Sequence, residues 1–194
     1  MARSVLEVRE LWAEDGRGGA LGGVSLEAAA GQIVAVVGSD DADRALLVGC
    51  LSLEVAAREG SILLHGVDVA GAGEKRRRQL RSRAIGLVAS RPEATPGPGM
   101  RQRIQLARAI TTEHDLLLVE EPGVGVEPAG RARILDLIVQ LRKETKTAVV
   151  ITTGDVDVAG YLADRVVVLD GGEVVDTGSS AQVLGGLRLG RRSA

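Results

Sequence analysis

Residues 33–51, IVAVVGSDDADRALLVGCL, set two patterns end to end, and their succession decides the fold. Residues 33–37 are a short β-branched run closed by Gly38, the form taken by a strand buried on both faces. Beyond Gly38 a polar stretch leads into a helical pattern that starts near Asp43. Comparable apolar runs recur at 85–88, 116–119, 148–152 and 166–169. Between them, residues 129–141 place Ile134, Leu137, Ile138 and Leu141 on one helix face. Strands alternating with helices predict a parallel α/β sheet. Residues 6–12, 24–29 and 61–67 instead alternate or lie between glycine-rich turns, which predicts antiparallel strands flanking that sheet.

Composition narrows the function. The 194 residues include one Trp, one Tyr and no Phe, too few rings for base-stacking platforms or aromatic cages. With 24 Lys+Arg against 26 Asp+Glu, the net charge of −2 gives no basic surface for a phosphate backbone, so nucleic acid is excluded as a partner. Cys50 stands alone, which rules out an intrachain disulfide and fits a reducing compartment. The first residues lack an apolar signal core and no apolar run reaches the ~18 residues of a span, which places the chain in the cytoplasm. The basic run 75–83 reads as the solvated face of a short helix. Residues 91–99 hold three of the five prolines and read as irregular, and the tail 186–194 reads as frayed.

The motifs, in order, are GVSLEAAAGQIVAVVG, IGLV, RQRIQLARAI, LLLVEEP and LADRVVVLDGGEVVDTGS. This framework resembles the ATP-binding subunits of ABC transporters, nearest to the lipoprotein-releasing and macrolide-export branch, from about Val5 to Ser180. The resemblance implies one nucleotide-binding domain over residues 1–194 with a P-loop NTPase-like parallel sheet. It implies ATP and Mg²⁺ as ligands, a homo- or heterodimer with another such subunit, and a permease that would hold it at the inner face of the cell membrane.

The residues that would carry this chemistry are altered. Where the family has G-x-x-x-x-G-K-S, the chain has Gly38, Ser39, Asp40, Asp41, Ala42, Asp43, Arg44 and Ala45, keeping only the first glycine. Asp40, Asp41 and Asp43 set up to three negative charges where a triphosphate would lie. One like-charge contact near 4 Å costs about 1 kcal/mol in water and about 4 kcal/mol at an effective dielectric near 20. Alternatively these acids cap the following helix. By the same resemblance Glu120 would serve Mg²⁺ and Glu121 would polarise the attacking water; the bland alternative is a pair of acids without a cation. Ser90 replaces the family's Gln, Gly97 the signature serine, Glu127 an Asp, and Thr153 or Gly154 the switch histidine. Only five residues separate Ser90 from Pro96, so the helical subdomain is largely deleted. Asp15 stands near the adenine-stacking aromatic; Trp12 either substitutes for it or packs on its sheet. His65 and His114 read as surface or turn residues. The expectation is an ATP-binding subunit with lost or weak ATP binding and hydrolysis, a pseudo-ATPase; the alternative is a variant working ATPase that uses Arg44, Glu120 and Glu121.

Overall fold

The computed structural model describes residues 4–16, 18–90, 98–112 and 114–190. A six-stranded sheet forms the centre. Its strands are β3 (Ile33–Gly38), β6 (Ile85–Val88), β7 (Leu116–Glu120), β8 (Ala148–Thr153), β9 (Arg165–Asp170) and β10 (Glu173–Ser179), in the order β10-β9-β3-β8-β7-β6. All neighbours are parallel except β9 and β10, which form an antiparallel edge. A second, antiparallel sheet lies apart, with β1 (Ser4–Glu14), β2 (Ala20–Ala29), β4 (Glu59–Leu64) and β5 (Val67–Asp68) in the order β2-β1-β4-β5. The α/β class and the separate antiparallel strands are as the sequence predicts.

The period of two along β3 explains why its apolar run is unbroken. Val34 and Val36 face one core, which contains Leu46, Leu47 and Leu51 of α1 (Asp41–Leu51) and Leu6, Leu11 and Val24 of the antiparallel sheet. Ile33 faces the opposite side, among Leu106 of α3 (Pro98–Thr111), Ile134 and Ile138 of α4 (Pro128–Glu144), and Val158 of α5 (Val156–Leu162). Ala35 and Val37 meet Ala159 of α5 and Val183 and Leu184 of α6 (Ser180–Gly190). With both faces covered, Val34, Ala35 and Val36 are at most 1% exposed. Cys50 joins the first core, where burial pushes its thiol up to about 11. That leaves no thiolate near neutral pH.

Four local expectations are corrected. α1 starts at Asp41 rather than near Asp43, because Asp40 caps it. The strand expected over 61–67 breaks at His65 and Gly66, whose φ values of 50° and 79° turn the chain back so that Leu64 pairs with Val67. Pro98 and Gly99 open α3, because proline at the first helical position forfeits no hydrogen bond; residues 91–97 lie outside the described set. The expected frayed tail is helical to Gly190, and Val183 and Leu184 anchor its start at 3% and 5% exposure; 191–194 lie outside the described residues. The shortening between β6 and α3 accompanies Met100 and Ile104 standing exposed, one turn apart on α3. The basic run forms α2 (Glu74–Arg83), whose Glu74 pairs with Arg78 and Arg81 at the surface.

Two glycines at positive φ separate the effects of backbone handedness and space. Gly60 has φ 90° and a Cβ there would lie 2.1 Å from the Glu10 carbonyl, whereas Gly31 has φ 71° and open space around it. Gly31→Ala should therefore cost about 1 kcal/mol, while Gly60→Ala should cost upwards of ~3 kcal/mol, compared by urea unfolding.

Candidate functional site

β3, β7 and β8 end together at one edge of the parallel sheet, with Val37 in register with Thr153 and Glu120 with Thr152. This is the edge at which open α/β sheets bind ligands. Gly38 closes β3, and a Cβ there would stand 2.6 Å from the Leu169 carbonyl oxygen. Only Ser39 separates it from Asp40, whose Oδ1 accepts from the N–H groups of Ala42 (2.7 Å) and Asp43 (3.3 Å). The anion that complements the free end of α1 is thus a side chain of the protein.

The other two acids diverge. Asp43 is 6% exposed and turns toward β2, where its Oδ1 accepts from Ala20 N at 2.8 Å. Asp41 has a side chain 92% exposed and pairs with the Nη2 of Arg44. Of the three carboxylates expected to crowd the loop, only that of Asp41 lines the adjoining cleft, because Asp40 is spent on the helix and Asp43 on the other sheet. Ala45 is exposed beside it and offers no hydroxyl.

Arg44 occupies the centre. Its residue is 4% exposed, and its Nε and Nη2 donate to Glu121 Oε1 at 3.0 and 2.6 Å. Nη1 donates to the carbonyls of Gly38 and, at 3.2 Å, Asp40. Glu121 receives two further donors from the end of β8: Thr153 Oγ1 to Oε2 at 3.1 Å, and Gly154 N to Oε1 at 3.1 Å. Its backbone sits at φ 39°, a left-handed conformation unusual for glutamate, and its N–H donates to Thr152 O. A carboxylate held in this way already accepts on both oxygens, most heavily on Oε1, so a water at Oε2 would share it with donors that the chain itself supplies.

Glu120 lies on the other wall, where its Oε2 accepts from Ser90 N at 3.2 Å. Arg44, Asp41, Ala45, Ser90, Glu120, Glu121 and Thr152 line a cleft of about 250 Å³. Gln102, 2% exposed on α3, braces this end of β7: Nε2 donates to the carbonyls of Glu120 and Glu121, and Oε1 accepts from Gly123 N at 2.8 Å. Sequence reasoning missed Gln102, which stands between Arg101 and Arg103 and carries no local signal of its burial.

The remaining candidates are dispersed. Glu127 caps α4 through Ala129 N at 2.7 Å. Trp12 is 44% exposed and lays its ring along Gly22 and Gly23 of β2, the packing alternative. His65 pairs with Asp115 at 3.1 Å, and His114 lines the same distant surface hollow. Gly97 lies outside the described residues. Among the described residues no group of three or more His, Cys, Asp or Glu could hold a metal ion, and no helix is long and apolar enough to cross a membrane.

Against known proteins, the chain is 31% identical over 199 residues to the aliphatic sulfonates import ATP-binding protein SsuB 1 of Pseudomonas fluorescens, covering 90% of this chain and 76% of that protein. It is 28% identical over 223 residues to the methionine import ATP-binding protein MetN of Caulobacter vibrioides, covering 91% and 67%. Among solved structures it matches cbiO1 from Clostridium perfringens, part of the ABC transporter complex cbiONQ, with a TM-score of 0.82 at 20% identity over 98% of this chain and 94% of that one. The dimeric structure of MJ0796, a bacterial ABC transporter cassette, gives a TM-score of 0.76 at 16% identity over 90% and 98%. At these identities the structures establish the fold. No family model matches the chain.

The turn after β8 is held by Asp155, which caps α5 and pairs with Arg131 of α4. The Arg131 guanidinium, and then the capping N–H groups, hold its carboxyl below the ordinary value of 3.8. A depressed carboxylate stabilises the fold above its unfolded pKa and ceases to as pH falls through its folded one. Asp155→Asn keeps the cap, so the wild-type advantage over it should be constant above about pH 4 and shrink below, read from urea unfolding across pH. Both side chains are more than a third exposed, so the difference should be small and fall with salt.

Proposed function

The chain belongs to the ATP-binding subunits of ABC transporters, and on that premise we propose that it is a pseudo-ATPase, a single cassette over residues 1–194 retained as a binding or regulatory partner with lost or weak nucleotide binding. The observation that carries this reading is the pairing of the buried Arg44 with the half-buried Glu121, which puts a guanidinium between the loop after β3 and the carboxylate that the family uses on water.

Mg-ATP fits the residues present poorly. A phosphate cradle needs free backbone N–H groups, a lysine and a hydroxyl for the metal. Two first-turn N–H groups of α1 are capped by Asp40, Arg44 is tied to Gly38 O and Glu121, and Ala45 carries no hydroxyl. Glu120, the candidate Mg²⁺ ligand, is the least altered element, yet it faces the backbone of Ser90 where the family supplies a glutamine side chain.

Relatives of this chain are named as import ATP-binding proteins, which supports cytoplasmic placement and assembly with a second ATP-binding subunit, homologous or identical, and with a membrane permease. The framework motifs instead resemble the lipoprotein-releasing and macrolide-export branch; neither likeness assigns a cargo. Shortening between β6 and α3 weakens the case for direct permease coupling, because the family builds that groove from its glutamine loop and helical subdomain.

Calorimetric titration with Mg-ATP should give no binding at millimolar nucleotide, and a micromolar dissociation constant would overturn the reading. The triple variant Asp43→Gly, Arg44→Lys, Ala45→Ser should gain measurable affinity. Phosphate release by purified protein should stay at background and be the same in Glu121→Gln; release that this substitution abolishes would identify a working variant ATPase instead.

A further inference from the structure

Glu121 is bound much as a small free carboxylate would be. Three donors from separate elements converge on it: the Arg44 guanidinium from α1, the Thr153 hydroxyl from the end of β8, and the Gly154 N–H from the following turn. The guanidinium itself is pre-set, since the carbonyls of Gly38 and Asp40 and the carboxylate of Asp41 fix it from other sides. The Gly154 turn packs against the same guanidinium, since a Cβ there would stand in ordinary contact, 3.4 Å from Arg44 Nη2. Asp155 N in turn donates to Thr153 Oγ1 at 3.1 Å, which orients that hydroxyl toward Glu121. A charged donor, a hydroxyl and a backbone N–H meeting on one carboxylate make an oxyanion cradle.

We infer that Arg44, Thr153 and Gly154 form a carboxylate-binding site whose resident ligand is the protein's own Glu121. Glu121 then fastens the turn before α5 to β7, and removing its carboxylate opens the cradle to a small free carboxylate of the acetate class. This deepens the reading above and rests on the same Arg44–Glu121 pair, but it makes its own claim about which anion the site selects. The cleft beside the cradle is large enough to admit such an anion, and Asp41 at its mouth disfavours larger, multiply charged ones.

The test is thermal unfolding of wild type, Glu121→Ala, Glu121→Gln and Glu121→Ala/Arg44→Met in sodium acetate up to about 100 mM, each matched with sodium chloride. Glu121→Ala should lower Tm by about 10 °C, because it strands a buried guanidinium. Acetate should raise that Tm along the saturating curve of a ligand that binds the folded state, with chloride much weaker. Wild type, whose cradle is filled, and the double variant, which lacks the guanidinium, should not respond. Glu121→Gln keeps one acceptor oxygen in place and should fall less than Glu121→Ala without responding to acetate.

Equal acetate and chloride effects on Glu121→Ala, or an acetate response that survives loss of Arg44, would overturn the inference. Should Glu121→Ala fail to fold in chloride, folding restored by acetate supports it, and failure in both salts while Glu121→Gln matches wild type in stability overturns it. Mg-ATP titration of wild type alongside separates the two proposals. Tight nucleotide binding together with selective acetate rescue removes the pseudo-ATPase and keeps the cradle, and the opposite pair of results does the reverse.

Discussion

Arg44 and Glu121 lie 77 positions apart in the chain and share one part-buried contact, and the candidate site at the end of the parallel strands is arranged around it. The Arg44 charge is costly there without its partner, whereas the Glu121 side chain keeps 26% of its surface exposed. The Arg44 side chain is 5% exposed, and removing one partner of such a pair typically costs about 3–5 kcal/mol through the stranded charge. The pair therefore constrains everything it touches: the start of α1, the end of β3, the left-handed turn at Glu121 and the approach of Gly154. That constraint is one of specificity as much as stability, because an apolar pair of equal volume could hold the same elements together.

The parallel sheet makes the contact possible. Registers between β3, β8 and β7 bring Gly38, Thr153 and Glu121 to a common edge, and the helices on both faces leave that edge as the open end. Gln102 adds a second brace from α3, donating to the carbonyls of Glu120 and Glu121 at the sharp turn after β7, where the Glu121 carbonyl also accepts from Val124 N. Geometry at this edge is thus shared among α1, β3, β7, β8 and α3, the last of which follows the shortened segment.

Much of the fold was legible in the sequence because it rests on local pattern. The β-branched run in 33–37 and the apolar face of residues 129–141 announce a strand covered on both sides and a helix that covers it. The Asp40 cap was legible too, since an aspartate before a helical run is a local signal. What escaped was non-local or stereochemical. Nothing around Arg44 points to Glu121, nothing around Asp43 points to Ala20 in another sheet, and the His65–Gly66 reversal depends on a histidine accepting a left-handed backbone. Composition placed three acids in one loop; only the structure distributes them to a helix end, a second sheet and a cleft.

The bond from Asp43 to Ala20 N has a consequence for how this site can change over generations. Glycine at 43 would free the loop but leave a strand N–H of β2 without its acceptor, and lysine at 44 would lose the fork that grips Glu121. Both of these steps toward a phosphate-binding loop are penalised when taken singly. Such a site behaves as a ratchet: the side chains that occupy it also secure the fold, so substitutions there meet a structural cost before any gain in phosphate binding.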